Sequence, residues 1–98
     1  MLVLPTINGT KAFGFAESRP GHGGGDLWVR GVLQFAPAEA VCVQDLVERG
    51  EPLSYSGPVW HGGRWTTDTF PIELIDVRAA DGSGVLVGFG ATTITLRS

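Results

Sequence analysis

Only one stretch of this chain, Pro37 to Arg49, carries apolar residues at helical spacing; elsewhere they alternate in short runs cut by Gly and Pro. Alternation with a period of two sends successive side chains to opposite faces of a strand, and the 15 glycines and six prolines supply turns between runs. Such a chain buries its apolar residues by pairing strands and then curling the sheet or stacking it in two layers. The pattern predicts a mainly β fold with one short helix, a small antiparallel β-barrel or sandwich of about five to six strands. At 98 residues, a single β-rich domain spanning 1–98 is expected.

Local signals place the elements. Asn8-Gly9 is the favoured pair for a type I′ turn, and a two-residue loop there pairs Ile7 with Thr10, Leu4 with Phe13 and Leu2 with Phe15. That register puts Leu2, Leu4, Phe13 and Phe15 on one face, the one expected to be buried. Pro5 has no N–H for a ladder, so the first strand is expected at a sheet edge or beside a bulge. From Asp26 to Ala36, Leu27, Val29, Leu33 and Phe35 share one face while Trp28 and Val32 take the other, the pattern of a central strand or of one with a partner over its outer face. In the helix, Pro37 suits the first turn, Glu39 suits the dipole, and Gly50 suits the left-handed position after the end. Ala40, Val43, Leu46 and Val47 form its apolar stripe.

Glu51 to Trp65, broken by Pro52, Gly57, Pro58, Gly62 and Gly63, reads as a connection holding a short strand near Val59-Trp60. A further strand is expected to begin near Arg64-Trp65. Phe70–Ala80 against Val85–Leu96 forms a second hairpin. Its apolar residues are odd on both arms, so only an odd-length loop sets them opposite one another. Gly82-Ser83-Gly84 is that loop, pairing Val77 with Phe89 and Ala79 with Val87. Ile94 and Leu96 then shift parity, so a bulge or bend is expected near Gly88 and Gly90 in the last strand.

Composition narrows the partners. The net charge is −3, and six Arg and one Lys lie singly along the chain. Clustered cations that neutralise phosphates are missing from the sequence, so neither nucleic acid nor an anionic membrane is an expected partner. Charged residues make up 17%, below the usual ~25%, which points to surface covered by something else. Cys42 is the single cysteine, excluding an intrachain disulfide; between Val41 and Val43 it reads as a core thiol rather than a nucleophile. Met1-Leu2-Val3-Leu4 stops at Pro5, short of a signal-peptide core, and no apolar run nears the ~20 residues of a membrane helix. A soluble, cytoplasmic protein is expected. The Arg-over-Lys bias, with abundant Ala and Gly, fits GC-rich bacterial or phage codons.

One phrase occurs twice: His22-Gly-Gly-Gly-Asp-Leu-Trp28 and His61-Gly-Gly-Arg64-Trp65. A zinc or nickel site would need both His with Cys42, Asp26 or Asp68, at spacings that match no short-range ligand motif, so no metal and no cofactor is expected. Gly21 to Gly25 run into a strand without a following Lys, unlike a phosphate loop. Glu73 and Asp76 face apart on a strand, and Asp45 and Glu48 lie on the polar side of the helix. What remains is a ligand- or partner-binding set, His22, Trp28, Trp60, His61, Arg64 and Trp65, with no catalytic residue assigned. The expected function is a non-catalytic binding module. It would work through protein contact or homo-oligomerisation, by an edge strand and the Trp loops, as a phage structural part or inhibitor would. Its rival is a small-molecule-binding barrel whose mouth is closed by the two His-Gly-Gly loops and lined by Trp28, Trp65 and His61.

Overall fold

A computed structural model describes residues 3–20, 27–80 and 84–92. In chain order the elements are β1 (Thr6–Ile7), β2 (Thr10–Lys11), β3 (Phe13–Pro20), β4 (Leu27–Phe35), α1 (Pro37–Glu48), β5 (Leu53–His61), β6 (Arg64–Ala80) and β7 (Gly84–Thr92). They form one sheet in the order β2-β1-β5-β3-β4-β7-β6, and β6 also pairs with β5. The pairings β5–β3–β4–β7–β6–β5 thus return to their start, and the sheet curls into the small barrel-like body the alternation predicts. One pairing departs from the antiparallel expectation. β3 and β5 run parallel, Ala16 beside Val59 and Glu17 beside Trp60, because α1 carries the chain back before β5 begins.

The first turn is type I′, with φ of 48° at Asn8 and 83° at Gly9, and Ile7 pairs with Thr10. The Asn8 side chain also docks this hairpin on the next strand: its Nδ2 donates to the Pro52 carbonyl (2.9 Å) and its Oδ1 accepts from the Ser54 N–H (2.7 Å). The turn is as expected, but the buried face is the other one. Ile7, Ala12 and Ala16 point inward, while Leu4, Phe13 and Phe15 are exposed; Leu2 lies outside the described residues. A ring of five strands has a narrow interior. Ala12 and, on β3, Ala16 contribute only methyl groups to it, leaving the space to Tyr55, Phe35, Leu33, Val29 and Val59. Nor is the first strand an edge, for β1 lies between β2 and β5.

β5 is one nine-residue strand rather than a connection. Its Tyr55 and Ser56 pair with β1, and its Val59 and Trp60 pair with β3. Gly57 and Pro58 sit where the neighbour changes, so they do not break the strand. There β1 ends at buried Pro5, and a Cβ on Gly57 would lie 2.6 Å from the Pro5 Cα. Tyr55 bridges the junction. Its hydroxyl donates to the Pro58 carbonyl and accepts from the Ala16 N–H, and its ring stacks on Phe70 at 5.3 Å.

α1 forms where the sequence places it, with Pro37 in its first turn. Gly50, at φ 67°, donates to the Val47 carbonyl and Glu51 donates to that of Leu46, both at 3.0 Å, which closes the helix end as a Schellman motif. Only Ala40 and Val43 of the stripe are fully buried; Val47 is exposed. Cys42 is exposed as well, correcting its reading as a core thiol: it lies about a quarter-turn from Val43, on the side turned away from the sheet.

β6 pairs with β5 from Arg64 to Ile72 and with β7 from Glu73, and a bulge follows the change of neighbour, between Leu74 and Asp76. Odd residues face odd across β6 and β7, as expected, but Val77 meets Val87 and Ala79 meets Val85, two positions from the predicted register. The connection is therefore 81–83, outside the described residues. The irregularity lies in β6 and not in the last strand, since β7 pairs with β4 without interruption from Val85 to Thr92; Ile94 and Leu96 lie outside the described residues. Among the described residues no helix is long and apolar enough to cross a membrane.

Candidate functional site

The second His-Gly-Gly phrase is the tip of a hairpin. Gly62 and Gly63 have φ of 59° and 79°, a type I′ turn that sets His61 opposite Arg64 and Trp60 opposite Trp65. Strand alternation then sends both indoles to the outside of the barrel. Their rings meet edge to face at 5.1 Å, and Phe15 of β3 packs edge-on against Trp65 at the same separation. Phe15 sits opposite Val32 of β4, and Phe13 follows on the same face. Phe13 is 62% exposed, Val32 57%, and the two indoles about 40% each. These five side chains make a continuous apolar wall across four strands, of the kind that in monomeric soluble proteins marks an interaction site.

Trp28 lies beyond this wall, past the Glu17 and Arg30 pair. It lies on the outward face of β4, opposite Arg19, and is half-buried. Among the described residues no ring contact joins it to Trp60 or Trp65. All three tryptophans therefore face outward, not into the barrel mouth. In double-mutant cycles, the coupling between Trp60 and Trp65 is expected at about 0.5–1.5 kcal/mol in chemical denaturation. Zero coupling would mean that the edge contact contributes nothing to the fold.

His61 has the opposite parity and lies at the barrel end. Its Nδ1 is 2.7 Å from the Ser18 Oγ, which is also 3.3 Å from the Trp60 carbonyl. A hydroxyl on an imidazole supplies the atoms of a nucleophile and a base. Here an Nδ1–H donating to Oγ, with Oγ–H donating to the carbonyl, accounts for both distances. Among the described residues no third group orients the other ring nitrogen. The pair thus clasps β3 to β5 beyond their short parallel ladder. Arg64 is exposed at the tip.

Because β3 and β5 are parallel, the strand ends that carry the two His-Gly-Gly phrases emerge at one end of the sheet. His22 itself lies outside the described residues. Cys42 is on α1, which follows the far end of β4, so it does not meet His61. Among the described residues no three His, Cys, Asp or Glu side chains group as a metal site. Ser18, Phe13, Phe15 and Val32 were missed in the sequence; the small residues at Ala12, Gly14 and Ala16 are the signal that the Phe residues of this strand point the other way. No family model matches the chain, and comparisons with curated proteins and with solved structures find no match.

Proposed function

We propose that this chain is a non-catalytic binding module that works by protein–protein contact or self-assembly through the wall of Phe13, Phe15, Val32, Trp60 and Trp65. The observation that carries this reading is an aromatic cluster, Trp65 touching both Phe15 and Trp60, whose three rings stay about 40% exposed. Aromatic residues that already pack against one another lose little freedom on binding, and interface anchors are rich in Trp. Sheet extension by the first strand is not part of the proposal, because β1 is paired on both sides. A cytoplasmic assembly or inhibitor protein of a bacterium or its phage is the setting such a surface fits.

Native mass spectrometry of untagged protein tests it, beside the double variant Phe15→Ser/Trp65→Ser. The expected result is a bound protein mass, another copy or a partner, that the double variant loses while its circular dichroism is unchanged. A monomer that carries a small molecule and keeps it in the double variant would favour a small-molecule binder instead.

A further inference from the structure

The wall differs in charge from the rest of the chain. Lys11, Phe13, Phe15, Glu17 and Arg19 alternate outward along one continuous segment, and Arg30 pairs across from Glu17. Among the described residues the wall thus carries three cations and one anion, Glu17, which lies 4.0 Å from Arg19, and exposed Arg64 stands at the hairpin tip beside it. The whole chain has 7 basic and 10 acidic residues. α1 and its end have the opposite balance. Glu39, Asp45, Glu48 and Glu51 outnumber Arg49, which Asp45 holds at 3.1 Å and Glu51 at 3.5 Å. On the outward side of the helix, Val41, Asp45 and Glu48 fall in one row at i, i+4 and i+7, and Val41 is 65% exposed. An exposed apolar residue framed by acids therefore lies on one part of the molecule, and exposed aromatics framed by cations on another.

We propose that copies of this chain associate head to tail, the acidic outward face of α1 of one copy seated on the basic aromatic wall of the next. The proposal rests on the wall being the binding surface. Charge selects the occupant: two walls face to face would bring together two surfaces of net positive charge, whereas helix on wall opposes unlike charges. Two different patches in contact make the interface heterologous, so it builds a ring or an open chain.

Sedimentation velocity of the full chain over a concentration series tests this with two variants, each first shown by circular dichroism to be folded. The wall variant is Arg30→Glu/Trp65→Ser; the helix variant is Val41→Ser/Glu48→Lys. The native chain is expected to form larger species with rising concentration, and to do so at least about tenfold more weakly in about 0.5 M salt, where screening is nearly complete within one contact. Each variant alone is expected to stay monomeric. Mixed one to one, they are expected to give a dimer and nothing larger, because each retains the one face the other needs. A helix variant that still dimerises shows wall-on-wall contact and overturns the proposal, as does a mixture that stays monomeric while the native chain associates. A native chain monomeric at every concentration also overturns it. If the wall variant alone then loses a bound partner protein, the binding-module reading survives; if it alone loses binding of labelled oligothymidylate, the wall belongs to single-stranded nucleic acid and both readings fall.

Discussion

Replacing Gly14 with alanine is expected to lower stability by roughly 2–5 kcal/mol, combining the costs of overpacking and of a backbone conformation that side chains resist. Gly14 lies on β3 opposite Leu33, at φ 132°, and an added Cβ would fall on the Val32 carbonyl oxygen. That oxygen belongs to the backbone of β4, which is held by β3 on one side and β7 on the other, so it has nowhere to retreat. Gly63→Ala is the control. It also has positive φ, 79°, but no atom lies within 4 Å of its Cβ position. Its loss is expected to be about 1–2 kcal/mol, the conformational part alone. Urea denaturation of both variants separates the two; equal losses would show that the close approach of β3 to β4 does not demand the glycine.

Tyr55→Ala is the second large effect, about 3–5 kcal/mol, the range for emptying a buried aromatic site. Tyr55 is fully buried at the point where β5 exchanges β1 for β3. Tyr55→Phe keeps the ring on Phe70 and removes only the hydroxyl, and is expected to cost about 1–3 kcal/mol by leaving the Pro58 carbonyl and the Ala16 N–H short of a partner. A change of less than a few tenths would show that the junction does not need the hydroxyl. The group also gives stability an alkaline limit. Burial raises its pKa well above the ordinary value near 10, outweighing the Ala16 hydrogen bond that lowers it. Its contribution is therefore complete below pH 10 and declines as pH rises further, because only the unfolded chain ionises there. Since this is the only tyrosine, tyrosinate absorbance in an alkaline titration reads it directly. Ionisation before unfolding would contradict its burial; the melting temperature of Tyr55→Phe should fall less steeply above about pH 10.

The elements differ in how far the chain alone revealed them. Asn8-Gly9 and the Pro37-to-Gly50 helix act through bonds a few residues long, so turn type, cap and helix limits could be read directly. β4 was legible because its buried residues, Val29, Leu33 and Phe35, are all large and share one parity. β5 was not, because Gly57 and Pro58 are strand breakers in most settings and are tolerated here only where the neighbouring strand changes. Within the candidate site, Trp60 and Trp65 were legible as a pair beside a glycine turn. Alternation alone places their partner Phe15 on the buried face, and Ser18 gives no signal until β3 lies beside β5.

By itself, then, the sequence determined the β-rich class, the turns and the helix, because these depend on backbone preferences and spacing within short segments. Tertiary structure alone decided which face of β3 is inside, that β1 is paired on both sides, that the bulge falls in β6, and that Cys42 is exposed. Alternation separates the two faces of a strand but does not say which one meets the core. That choice belongs to the curled sheet, whose narrow interior takes the methyls of Ala12 and Ala16 beside Tyr55 and Phe35, and leaves Phe13 and Phe15 outside. The same curling brings Trp60 and Trp65 beside Phe15, because strands far apart in sequence become neighbours about 5 Å apart.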